Sequence, residues 1–157
     1  MKIRFLSKEF EVEESLNPTI GEVSTKENVI TLWNFDKMAE ETLGFIAHDY
    51  LAGKHFGELS IEDVIELEVE DMCVLFKVIN ILNLYTIDNL NIYSDFFDSD
   101  GNTWTNSETF YKVYGRTDGV DRIILQTCTI DENGNKGRRF ITAELCPHSS
   151  EDRAPVF

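Results

Sequence analysis

Apolar and polar residues alternate at the start of the chain. Ile3, Phe5, Phe10 and Val12 sit at period-two spacing, which predicts one strand or a tight hairpin over residues 1–12. Asn17-Pro18 and Gly21 then punctuate a loop, and Val29 to Trp33 reads as another strand. From Asp36 the spacing turns helical: Met38, Leu43, Ile46, Ala47 and Tyr50 fall on one face, and Asp36, Glu40 and Glu41 suit the positive end of a helix that Gly53 and Gly57 close. Ile65 to Glu70 alternates strictly, although Ser60-Ile61-Glu62-Asp63 resembles a helix start, so residues 60–70 predict a short strand or an irregular segment. A second helix is predicted from Asp71, with Val74, Leu75, Val78, Ile79, Leu82 and Tyr85 as a wide apolar stripe.

Beyond Asn89 the pattern changes. Asp100-Gly101, Asp118-Gly119 and Asn133-Gly134 are dipeptides that supply the positive φ angles of tight turns. They separate four β-rich runs: Leu90 to Phe97, Thr109 to Gly115, Arg122 to Ile130 and Arg138 to Leu145. The expected architecture is a single α+β domain. It has N-terminal strands, a C-terminal antiparallel meander of about four strands, and two main helices packed on one face.

With 157 residues, of which 42% are hydrophobic and 11% aromatic, the chain can bury a core as one domain. The first ten residues have no apolar stretch of signal-peptide type, and Val74 to Tyr85 is too short and too polar to span a bilayer. Cys73, Cys128 and Cys146 are scattered and odd in number, so they read as reduced thiols of a cytoplasmic protein.

Charge sharpens this picture. Residues 36–100 carry 15 acids against Lys37, Lys54 and Lys77, which accounts for −12 of the formal net charge of −15. Such a field repels nucleic acid and anionic membranes and attracts basic protein surfaces. Glu58, Glu62, Asp63, Glu66, Glu68, Glu70 and Asp71 are uninterrupted by any base; Glu62, Glu66 and Glu70 on a helix, or Glu66, Glu68 and Glu70 on a strand, would be spaced by about 6–7 Å, approximating phosphates along one strand. They are the expected partner-binding residues.

The last twelve residues, Cys146 to Phe157, resemble the peptide made when a reading frame runs into a tRNA gene. The domain is therefore expected over 1–145, followed by a tail outside it over 146–157. Such a fusion hints at mobile-element origin.

Specific chemistry is sparse. Asp98-Ser-Asp100-Gly-Asn102 begins like a calcium loop but has Thr103 at the sixth position and Thr109 at the twelfth, so a hairpin turn explains it better. His48 and His55 are seven apart, the wrong spacing for a zinc pair on one helix, and read as surface or interfacial side chains. Cys73, on the apolar stripe, reads as an inert buried thiol. The aromatics Tyr93, Phe96, Phe97, Trp104, Phe110, Tyr111 and Tyr114 read as sheet packing, with only Arg116, Arg122, Arg138 and Arg139 to serve a nucleic-acid groove. No phosphate loop, nucleophile elbow or Cys-x-x-Cys pair is present.

These features predict a non-enzymatic acidic protein without metal or cofactor. It would bind and inhibit a basic nucleic-acid-binding enzyme as a nucleic-acid mimic, in the manner of a phage anti-restriction or anti-CRISPR protein. Two alternatives use other partners or chemistry. One is an immunity protein neutralising a basic toxin nuclease; the other is a small enzyme or ligand-binding domain whose acids are incidental, a reading that convergent carboxylates in a deep pocket would favour.

Overall fold

A computed structural model describes residues 1–16, 22–33, 38–89, 91 and 94–147. Among the described residues ten strands alternate with little helix: β1 (Lys2–Phe5), β2 (Lys8–Glu14), β3 (Val29–Trp33), β4 (Thr42–Ile46), β5 (Val64–Val69), β6 (Met72–Thr86), β7 (Phe96–Phe97), β8 (Thr103–Trp104), β9 (Arg122–Ile130) and β10 (Lys136–Leu145). A 3-10 helix, Ala52–Glu58, follows β4, and one α-helix, α1 (Asn106–Tyr114), precedes β9.

The strands run in the order β10-β9-β4-β3-β2-β1-β5-β6, and β6 pairs back with β10. Those eight strands therefore close on themselves, and β7 and β8 extend from the far end of β6. Two neighbours are parallel, β2 with β3 and β4 with β9; the remaining pairs are antiparallel. Side chains fill the barrel as expected for eight strands. Ile3, Phe5, Phe45, Phe76, Ile123 and Ile141 are among those at its centre. A second cluster lies outside the barrel wall, where α1 lays Val113 and Tyr114 against Ile124 of β9 and Phe140 of β10.

The α+β expectation is thereby corrected: the fold is a closed, mostly β barrel. The predicted helix from Asp71 is the long strand β6. Its start packs inward through Phe76 and Val78, and its end packs outward through Leu84. A register shift opposite Thr142/Ala143 separates the two halves. A strand buried on opposite faces along its length, with a bulge between, mimics helical spacing; its Val and Ile content was the contrary signal. The predicted helix from Asp36 has its start outside the described residues, and its apolar face is instead β4 and the turn after it.

The opposite error occurs at Thr109 to Gly115, an expected strand that lies mostly within α1. Thr105 caps that helix, its hydroxyl accepting the Glu108 N–H at 3.1 Å, in a Thr-x-x-Glu arrangement that marks a helix start. Gly101 and Gly134 turn at positive φ between β7 and β8 and between β9 and β10, whereas Gly119 turns between α1 and β9. Residues 60–70 resolve into a turn followed by β5. Of the tail, residues 148–157 lie outside the described residues, as does most of Leu90 to Tyr93.

Candidate active site: a thiol between an imidazole and a guanidinium

Strand β9 is the centre of the site. Residues 122–127 of β9 are all buried, because the barrel interior takes one face and α1 with its cluster takes the other. Cys128 is the first exposed residue after that run. The two neighbours of β9 bring a charged or titratable side chain beside it.

On one side β10 is antiparallel, and the register sets Arg138 directly opposite Cys128. Directly opposed residues share a sheet face. The Arg138 guanidinium lies over the rings of Phe96 and Phe110, 5.9 Å from each centroid, which holds the cation by its attraction to the ring faces. On the other side β4 is parallel, with Thr42 level with Arg122 and Ile46 level with Gln126. Extending that register by two residues brings His48 level with Cys128. His48 lies two residues past the end of β4, Cys128 on β9 and Arg138 on β10, and all three line one cleft.

The His48 peptide is tied down rather than left as a strand end. The Ala47 N–H donates to the Gln126 carbonyl at 3.1 Å, and the Thr127 hydroxyl donates to the Ala47 carbonyl at 2.8 Å. The His48 carbonyl then accepts both the Leu51 and Gly53 N–H groups at 3.0 Å. Gly53 is required by close approach: a Cβ there would meet Thr127 Oγ1, the His48 carbonyl and the Ala47 carbonyl at 2.4, 2.6 and 2.7 Å. The imidazole stacks on Tyr50, with centroids 5.2 Å apart. Behind the thiol, Tyr114 Oη donates to Gln126 Oε1 at 2.6 Å, and burial pushes the Tyr114 hydroxyl pKa up, so it stays a neutral donor.

Around His48, Cys128 and Arg138 opens a cleft of about 650 Å³. Trp33, Ile46, Phe110 and Ile130 supply apolar wall; Asn89, Asn106 and Lys136 supply a polar end. A smaller hollow of about 100 Å³, bounded by Trp104, Lys112, Arg116 and Phe140, contains neither thiol nor imidazole. Partial burial is the main cause that pushes the Cys128 thiol pKa up, the Asp49 carboxylate adds to it, and Arg138 opposes both.

The expected partner-binding acids lie elsewhere. Glu66 and Glu68 on β5 pair with Arg4 at 2.6 and 2.7 Å and are half-buried. Glu58 pairs with Lys8 at 3.0 Å and with His55, which together hold its carboxyl below the usual range. Glu62 pairs with Lys77 at 3.0 Å. Asp63 accepts the Ser60 N–H at 2.7 Å, and Glu70 and Asp71 are exposed at the β5–β6 turn. None of the seven lines the cleft, and the structure brings them into a row along β5 and its turns rather than into a convergent pocket. Asp98 closes a turn: it accepts the Asp100 and Asn102 N–H groups and the Trp104 indole N–H, and the Asn102 side chain chiefly lowers its pKa to about 2.

Sequence reasoning passed over His48, Cys128 and Arg138 as a site. One signal was present: a hairpin centred on Asn133 places residues equidistant from it opposite one another, and Cys128 and Arg138 are equidistant. His48 left no such trace, because the β4–β9 pairing joins segments eighty positions apart in the chain.

The same barrel is found in solved proteins. This chain matches sortase C of Streptococcus pneumoniae with a TM-score of 0.59 and 15% identity, over 99% of this chain and 69% of that one. Sortase A of Corynebacterium diphtheriae matches with a TM-score of 0.62 and 12% identity, over 96% of this chain and 62% of that one. Clostridium perfringens sortase C, solved with the C-terminal cell wall sorting motif, matches with a TM-score of 0.57 and 15% identity, covering 92% of this chain and 69% of that one. The fold is that of the sortases.

No family model and no curated protein matches the sequence. The likeness to sortase enzymes overturns the reading of this chain as a non-enzymatic acidic inhibitor or anti-defence protein, and the immunity-protein alternative falls with it. The convergent carboxylates that would have favoured the third reading are not found: Asp49 is the one carboxylate among the residues lining the cleft. No helix among the described residues is long and apolar enough to cross a membrane.

Proposed function

We propose that this chain is a cysteine-dependent acyl transferase of the sortase kind, acting on a peptide. The observation that carries the reading is that His48 just past β4, Cys128 on β9 and Arg138 opposite it on β10 line one cleft within a sortase fold.

Each residue has a defined task. The Cys128 sulfur, as thiolate, adds to a peptide carbonyl and forms the C–S bond. The carbonyl oxygen takes the negative charge, and the Arg138 guanidinium across the strand pair stabilises it. As the intermediate collapses, the C–N bond breaks and the protonated His48 gives its proton to the departing amine. An acyl thioester on Cys128 remains. An incoming amine adds to it, His48 takes the proton of that amine, and the C–S bond breaks to release the new amide and the thiolate. Water in place of the amine gives hydrolysis. The raised pKa of the thiol means that only a small fraction is thiolate at neutral pH, so the neighbouring imidazole and guanidinium matter for reactivity.

The test uses an equimolar hexapeptide library with hydroxylamine as acceptor. The expected result is peptide hydroxamates, together with an acyl adduct on Cys128 seen by intact-mass spectrometry and lost in Cys128→Ala. Equal product from the wild type and Cys128→Ala, or no product from either, overturns the proposal.

A further inference from the structure

The cleft is not electrically uniform, and the asymmetry carries a statement about substrate. In a chain of net charge −15, most described cations are spent on carboxylates: Lys2, Arg4, Lys8, Lys77 and Arg122 are among those in ion pairs. Lys136 is an exception. It lines the cleft, it is exposed, and it makes no ion pair with a described residue. The carboxylate of the cleft, Asp49, follows His48 on the far side of β9 from β10.

The position of Lys136 is built rather than incidental. Its backbone N–H donates to Asn89 Oδ1 at 2.8 Å, and its carbonyl accepts the Thr86 hydroxyl at 3.0 Å. Thr86 Oγ1 lies 3.2 Å from Asn89 Oδ1, an alternative acceptor for the same hydrogen, so the end of β6 clamps the start of β10. Register sets Lys136 opposite Ile130 and Arg138 opposite Cys128. Lys136 therefore shares the face of Cys128 and is displaced by two residues, about 7 Å, along the hairpin. Asn106 lines the cleft, and its buried amide Nδ2 has no hydrogen-bond partner among the described residues. A buried donor without an acceptor is unfavourable until something fills the site.

From this arrangement we propose that the Lys136 end of the cleft binds a carboxylate of the acyl-donor peptide, within about two residues of the carbonyl that Cys128 attacks. The inference rests on the acyl-transfer reading for the identity of the ligand, but the carboxylate site itself can be tested without it. Two sources share the chemistry: an Asp or Glu side chain within the peptide, and a free C-terminal carboxylate.

The experiment has two arms, both in a Cys73→Ser, Cys146→Ser background so that Cys128 is the reporting thiol. In the first, Cys128 is alkylated with anionic iodoacetate and neutral iodoacetamide, and the ratio of rates is compared with that of a small free thiol. The ratio is expected to exceed that of the free thiol, to fall about fivefold in Lys136→Gln, the effect of removing one nearby charge in a partly hydrated cleft, to fall further in Lys136→Glu, and to shrink in high salt. Lys77→Gln is the control: Lys77 faces Glu144 on β10, six residues or about 20 Å from Arg138, and the ratio there should not move. An unchanged ratio in Lys136→Gln overturns the carboxylate site.

In the second arm, hydroxamate yield is compared for peptide pairs that differ in Glu against Gln at each position, and in a free against an amidated C-terminus. Preference for Glu assigns a side chain, and preference for the free terminus assigns the chain end. Hydroxamates formed without either preference overturn the inference and leave acyl transfer standing. No hydroxamate from any peptide, with an alkylation ratio that still follows Lys136, sinks acyl transfer and leaves the carboxylate site standing.

Discussion

Arg4 and Arg138 are both strand arginines with half-buried side chains, and they serve different purposes. Arg4 projects from β1 among three carboxylates, Glu9 at 2.6 Å, Glu66 at 2.6 Å and Glu68 at 2.7 Å, which hold its pKa above the ordinary arginine value. Arg138 projects from β10 over two aromatic rings, beside a thiol and an open cleft. A guanidinium surrounded by carboxylates has its charge neutralised and its donors occupied. One held against ring faces at the edge of a cleft is placed within reach of whatever enters. The acidic side of this barrel thus pairs its cations with carboxylates, and the cleft side has Arg138 and Lys136 in its lining.

The largest effect should come from the thiols. Cys128→Ala is expected to lower hydroxamate formation by at least about a thousandfold, as loss of a covalent nucleophile does, with an unchanged far-ultraviolet circular dichroism spectrum. Cys73→Ser and Cys146→Ser, on β6 and just past β10, should keep most of the activity. Equal losses for all three would erase the distinction between the two sides of the barrel.

The two arginines give the next contrast. Arg138→Gln should lower the rate by about 10²–10³, the usual cost of removing one group that stabilises an oxyanion. Arg4→Gln should leave the rate unchanged and lower the melting temperature slightly, with the difference shrinking in salt because its ion pairs are only half-buried and reached by solvent. Kinetics and thermal melts on the same preparations check both.

The clamp on His48 lies between these extremes. Thr127→Val removes the hydroxyl that donates to the Ala47 carbonyl, and Gly53→Ala drives a Cβ into Thr127 Oγ1 and the His48 and Ala47 carbonyls. Both should cut the rate about tenfold to a hundredfold through misplacement of the imidazole. Thr127→Ser, which restores the donor, should recover most of that loss; a variant that merely loosened packing would not be rescued by so small a side chain.

Legibility differs between the same two regions. β9 and β10 were readable almost to the residue: Arg122–Ile130 was expected in full, and Lys136–Leu145 missed only its first two positions, because β-branched runs flank an Asn-Gly turn. The barrel was not readable, because closure depends on β6 pairing with β10 and β4 with β9, contacts between segments far apart in sequence. Charge counting reads only local sequence. It weighed Glu66 and Glu68 by sign and spacing, but Arg4 reaches them from sixty positions away, a neutralisation that no local window contains. Cys128 was one thiol among three until the strand order gave it neighbours.

The smallest effect separates the two charges flanking the thiol. Partial burial, the larger cause, and then the Asp49 carboxylate raise the Cys128 pKa, and Arg138 lowers it. The signs follow from the thiolate being the charged form, disfavoured by poor hydration and a neighbouring anion and favoured by a cation. Iodoacetamide reacts with the thiolate, so the alkylation rate of Cys128 in the Cys73→Ser, Cys146→Ser background should rise with pH to a midpoint above the ordinary thiol value of about 8.5. Asp49→Asn should move that midpoint down and Arg138→Gln should move it up. Because burial remains in Asp49→Asn, the midpoint there should stay above the ordinary value. A midpoint below it in the wild type would mean that the cleft favours the thiolate, and that His48 and Arg138 dominate the thiol more strongly than its partial burial does.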